Sequence, residues 1–172
     1  ETFTYELFLP SKEKLEMAEA FFELREPIYE KYDLEKDHLS LLPHNIFNFL
    51  KRNNLKIYLN DDNLGYVPDP ETGESTGVGT AGIYYADTNT IHIDSTITWQ
   101  EVVLHEVGHL IDYMVSNGRR LSHRKEFMDI YNQEKDKLYG SEDKTYYRRE
   151  PKEYFAEAFS DYIKKPYQMK DI

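Results

Sequence analysis

Leu104-His105-Glu106-Val107-Gly108-His109-Leu110-Ile111-Asp112-Tyr113-Met114-Val115 is the stretch whose reading decides the fold. Thr98 and Glu101 have the spacing of a capping box before it, and the pattern predicts an apolar helix lasting to Gly118. On that helix His105 and His109 are four apart, so they share a face and their imidazoles can meet one ion. Glu106 lies about a third of a turn round from His105.

Two histidines at this spacing with a glutamate directly after the first form the zincin arrangement of two ligands and a general base. Zinc held by three protein groups keeps a fourth position open, where water has its pKa lowered to about 7. Glu106 is placed to take that water's proton without being a ligand. Gly108 costs about 1 kcal/mol against Ala inside a helix. A small residue between the two histidines therefore suggests close approach by another element. The plainer alternative is a pair of ordinary histidines on an amphipathic helix.

The third ligand is expected downstream. A histidine six residues past the second ligand is absent, because that position is Val115, and Glu126 only comes near a thermolysin-like spacing. Glu153 and Glu157 are better placed, at i and i+4 on a predicted last helix, with Phe155 and Phe159 turned to the core. One could bind the ion and the other stand behind it. Spacing alone does not rank them, and both read equally well as solvent-facing charges. Asp112, seven past His105, returns to the same face and could orient a ligand. His92 reads as structural, and His38, His44 and His123 as surface residues.

Working outward, Thr2–Leu9 alternates as a strand. Ser11 can cap a helix running to about Asp33, with Pro27 breaking or kinking it. A second helix is expected at about 43–52 and a strand over Leu55–Leu59. Residues 60–79 read as a long loop, then Thr80–Ala86 and Thr90–Asp94 as a hairpin around Asp87-Thr88-Asn89. Ser122 is expected to cap a helix to about Leu138, residues 139–150 to form a polar loop, and Pro151 to open a last helix closed by Pro166. Strands early and helices late predict an α+β class, one domain with an N-terminal lobe over about 1–96 and a helical lobe over about 97–172.

Composition narrows the function. The 172 residues carry 32 acidic against 21 basic side chains, a formal charge of −11, which is the reverse of a nucleic-acid binder. No apolar run approaches a membrane span. With no cysteine, thiolate metal sites and cysteine nucleophiles are excluded, so a metal must use His, Asp or Glu. The chain opens at Glu1 without a signal pattern, so a processed or engineered fragment is expected, with any export signal already gone.

LHEVGHLIDYMV followed by YYRREPKEYFAEAF resembles the catalytic domain of anthrax lethal factor and the clostridial Pro-Pro endopeptidases. KRNNLKIYL and the TNTIHID strand extend the resemblance, which covers most of the chain from about residue 45. It implies a two-lobed gluzincin, a secreted bacterial zinc endopeptidase acting as a monomer on extended peptide or protein substrates. It implies Zn2+ held by His105, His109 and Glu153, with Glu157 behind the metal and Glu106 as base. It also implies Tyr146, seven residues before Glu153, as the donor that steadies the oxyanion, with Tyr147 its neighbouring rival. Substrate is implied to lie antiparallel along an edge strand near Gly79–Tyr85, touching Gly79, Gly82 and Tyr84. Two departures stand out: no aromatic proline-recognition loop is recognisable in 60–79, and the chain ends soon after the last helix, where the family continues. The rival readings are a non-catalytic metal-binding or toxin-derived binding module, and a metal-free helical interaction protein.

Overall fold

The computed structural model describes residues 11–24, 29–60, 64, 66–68, 72, 75–98, 100–138 and 145–168. The chain divides into two compact units, 1–103 and 104–172. The strand expected over Thr2–Leu9, the break at Pro27 and most of the acidic loop after Asn60 lie outside the described residues.

In the first unit Ser11 caps α1 (Lys12–Glu19), its Oγ accepting from the Lys14 N–H at 3.1 Å. The helix expected to run to about Asp33, broken or kinked at Pro27, ends earlier. The chain leaves α1 after Ala20, makes the short strand β1 (Phe22–Glu23) and starts a new helix, α2 (Tyr29–Leu39). The reason is tertiary. Phe21 stacks on Phe47 and Phe22 meets Tyr32 edge-on, so burying both rings outweighs helical continuity.

Helix α3 (His44–Arg52) leads through Asn54, at φ 54°, into β2 (Lys56–Asn60). Ile57 and Leu59 of β2 are buried, as are Ile91 and Ile93 of β6 (Thr90–Asp94). The two strands run parallel with Ile57 opposite Ile91 and Leu59 opposite Ile93, which puts one apolar face in the core. β5 (Gly82–Tyr85) pairs antiparallel with β6, giving the order β1-β2-β6-β5. The turn of this hairpin uses Asn89 at φ 51°, a conformation asparagine tolerates. Asn89 also accepts from Tyr84 Oη and donates to the Asn53 carbonyl. The segment expected to be loop contains β3 (Tyr66–Pro68) and β4 (Ser75–Gly79), paired with each other.

Thr98 and Glu101 do not form the expected capping box. The helix starts later, as α4 (Val103–Met114). Fully buried Glu35 supplies the acceptor instead, taking the N–H groups of Val102 and Val103 at 2.7–3.1 Å. Lys31, equally buried, pairs with Glu35 at 3.0 Å and donates to the Gln100 carbonyl. Glu101 pairs with His38.

In the second unit α4 ends at Met114, and the chain turns through Asn117 and Gly118, both with positive φ. Ser122 does not cap a helix. It sits in a 3-10 turn (Leu121–His123) with its hydroxyl bonded to Asp112, and α5 (Lys125–Leu138) begins beyond it. The described end of the expected polar loop is a short helix, α6 (Thr145–Arg149), before α7 (Pro151–Gln168), which continues past Pro166. Tyr131 and Tyr154 form an aromatic cluster with Phe127 and Tyr147, and Tyr131 Oη donates to the Arg148 carbonyl. The cluster ties α6 to both longer helices. Among the described residues no helix is long and apolar enough to cross a membrane.

Candidate metal centre

Helix α4 carries His105, Glu106 and His109, whose potential ligand atoms all lie within 4.8 Å of one another. The two imidazoles meet edge to face, 4.9 Å between centroids. Glu106 is buried, as are Glu153 and Glu157 on α7. The last helix therefore turns its charged stripe inward, together with Tyr154, Ala156, Ser160 and Ile163, while Tyr162 is exposed. Phe155 and Phe159 are only half-buried.

The two glutamates that spacing could not rank take different places. Glu153 Oε2 lies 2.9 Å from His105 Nε2 and 3.3 Å from His109 Nε2. Glu157 Oε2 lies 3.0 Å from His105 Nδ1, at the other nitrogen of that ring. Tyr147 covers the same imidazole, 5.6 Å between ring centroids. Tyr146 belongs to α6.

These contacts set the charge of the cluster. Burial disfavours the His105 imidazolium, but the hydrogen-bonded carboxylates of Glu153 and Glu157, with Glu106 nearby, outweigh it and raise the pKa to about 10. Burial likewise disfavours charge on Glu153, yet the hydrogen bonds from His105 and His109 hold its carboxyl well below the usual carboxylate range.

The donor set fits zinc. A tetrahedral ion with bonds of about 2.0–2.1 Å sets its ligand atoms roughly 3.3 Å apart. The two separations from Glu153 Oε2 to the imidazole nitrogens, 2.9 and 3.3 Å, are close to that edge. Two nitrogens and one carboxylate oxygen suit zinc, and His105 finds at Nδ1 the carboxylate that a ligating imidazole usually has.

Asp112 is placed differently from its sequence reading. It is fully buried, and its oxygens accept from the Ser122 N–H at 2.7 Å and the Ser122 hydroxyl at 2.6 Å. It anchors the turn after α4 rather than a histidine. The stretch expected to hold substrate is split: Gly79 ends β4, while Gly82 and Tyr84 belong to β5, the last strand of the four-stranded order. His92 stacks on Tyr58 and meets Tyr85 edge-on.

Gly108 and Ala156 were not read together from sequence. A Cβ placed on Gly108 would meet Ala156 Cα at 2.8 Å and the Ala156 carbonyl oxygen at 2.9 Å, so α4 and α7 touch backbone to backbone at this point. The only signal in the sequence was a glycine tolerated inside a helix.

An α+β chain whose second unit gathers two histidines and three glutamates at one helix crossing defines a narrow class. The family profile described as anthrax toxin lethal factor, N- and C-terminal domain, matches residues 81–171, more than half of this sequence. The chain belongs to that family. Among solved structures, the Pro-Pro endopeptidase PPEP-2 from Paenibacillus alvei has the same fold, with a TM-score of 0.63 and 22% sequence identity over 90% of this chain and 92% of that one. No curated protein matches.

Proposed function

We propose that the chain is a zinc-dependent endopeptidase that hydrolyses internal bonds of extended peptides. The observation that carries this reading is the convergence of Glu153 Oε2 on the Nε2 atoms of both His105 and His109, with buried Glu106 beside them. Family membership and the fold shared with a Pro-Pro endopeptidase support a peptide substrate.

His105, His109 and Glu153 would hold the ion, in a gluzincin arrangement. When bound, zinc supplies Lewis-acid polarisation of a carbonyl and acidifies water to a pKa near 7. Glu157 fixes the tautomer and orientation of His105 through Nδ1. Glu106 accepts the proton of the attacking water and returns it to the leaving amine. Tyr146 donates a hydrogen bond to the carbonyl oxygen as negative charge grows on it. Strand β5, with Gly82 and Tyr84, offers main-chain groups for an extended substrate, and Gly79 borders it in sequence. The protein acts outside the cell as a monomer.

The test is a Glu106→Gln variant beside wild type, both loaded with zinc and scored on a peptide library that includes Pro-Pro bonds. We expect one zinc per chain in each, cleavage by wild type, and a rate lowered by about 10²–10⁴ in the variant. A zinc-loaded wild type that cleaves nothing in the library overturns the enzymatic reading. A wild type that takes up no zinc overturns the metal centre as well.

A further inference from the structure

The backbone contact between Gly108 and Ala156 stands in a specific relation to the metal centre. His105 is three residues before Gly108 and His109 one after it. Glu153 is three residues before Ala156 and Glu157 one after it. Each helix thus carries a pair at i and i+4, and each pair brackets the residue at which the helices touch. The hydrogen bonds between the four side chains span the same crossing.

We infer that Gly108 is a positioning residue: by letting α4 meet the α7 backbone at Ala156 it sets the separation between the histidine pair and the glutamate pair, and with it the bite of the site on its ion. The inference rests on the zinc reading above. The magnitudes favour it over simple packing. Carbon atoms in contact prefer about 3.5–4.0 Å, so a methyl on Gly108, which would start at 2.8 Å, needs the helices to part by roughly half an ångström or more. The atom in the way belongs to backbone and cannot rotate aside. Ligand distances in a metal site tolerate only about ±0.2 Å. Rotation of the Glu153 side chain recovers part of the gap, so weakened rather than abolished binding follows.

The probe is Co2+ alone, titrated into metal-free protein in competition with a chelator, with the visible absorption band reporting coordination number. Gly108→Ala is expected to bind at least tenfold more weakly, with the intense four-coordinate band reduced. Ala156→Gly leaves in place the Cα and carbonyl that Gly108 meets, so its affinity is expected within threefold of wild type. Leu110→Ala, buried on α4 and about 200° round the helix from Gly108, is the control for general loosening. It should lower the melting temperature of the metal-free protein and leave affinity and spectrum as in wild type. If Gly108→Ala does not fold even with Co2+ present while Leu110→Ala does, the contact is a requirement of the fold rather than of the site's bite, and the inference is overturned. Wild-type affinity and spectrum in a folded Gly108→Ala overturn this inference and leave the zinc reading intact. A wild type that takes up no cobalt overturns the zinc reading itself.

Discussion

Glu157 Oε2 lies 3.0 Å from His105 Nδ1, while Glu153 Oε2 lies 2.9 Å from Nε2 of the same ring. One imidazole is therefore held between two carboxylates from successive turns of one helix, and only Glu153 also reaches His109. The two glutamates should fail differently. Glu157→Ala is expected to weaken zinc affinity by about 10–100-fold, as loss of a carboxylate behind a ligating histidine does. Glu153→Ala removes a ligand and should lose more. Chelator competition measures both, and a larger loss in Glu157→Ala would reverse the assignment.

Zinc uptake should be coupled to pH through His105. Its pKa in the metal-free fold is raised from 6.5 to about 10, so the proton is held across the neutral range. The stabilisation of the metal-free fold from this imidazolium is complete below the unfolded value and is lost as pH rises through the folded value. A metal requires the neutral ring, so it must displace that proton. Apparent zinc affinity should therefore rise between about pH 6 and 9, by up to roughly tenfold per unit for one proton displaced. Titrations at three pH values in non-coordinating buffers check this, and a flat profile would show that His105 is already neutral.

The tyrosines of α6 separate by kinetics. Tyr147 packs with Tyr131 and Tyr154 and lies over His105, whereas the proposed donor to the developing oxyanion is Tyr146. Tyr146→Phe should lower kcat by about 10²–10³ with KM and zinc content little changed. Tyr147→Phe keeps the ring and should leave kcat within a few-fold. If only Tyr147→Phe loses kcat, the donor is one residue on; if neither does, another group stabilises the oxyanion.

The entry to α4 carries its own stability prediction. Lys31 and Glu35 are an ion pair without solvent exposure, and Glu35 also takes the Val102 and Val103 N–H groups. Glu35→Ala strands a buried ammonium and two amides, a loss of about 3–5 kcal/mol. Glu35→Gln retains one acceptor and should fall between it and wild type. Urea unfolding of the three proteins measures the order, and a Glu35→Ala protein within 1 kcal/mol of wild type would contradict the burial of this pair.

Local rules sufficed where the information was local. The α+β class, the helix that puts His105 and His109 on one face, and the hairpin around Asp87-Thr88-Asn89 all follow from periodicity and turn chemistry, and the fold contains them. Boundaries failed where distant groups supplied the hydrogen bonds. Glu35, 67 residues away from Val102, took over the helix start expected of Thr98 and Glu101. Asp112 took the Ser122 hydroxyl that was expected to cap α5. β1 interrupted a helix because Phe21 and Phe22 found aromatic partners outside it. Spacing showed that Glu153 and Glu157 share a face, but both satisfy the same i, i+4 geometry, so it could not say which one meets Nε2. That choice depends on where α7 lies along α4. The crossing is fixed where Gly108 meets the backbone of Ala156, 48 residues on in the chain, and the missing side chain of Gly108 becomes meaningful only at that contact.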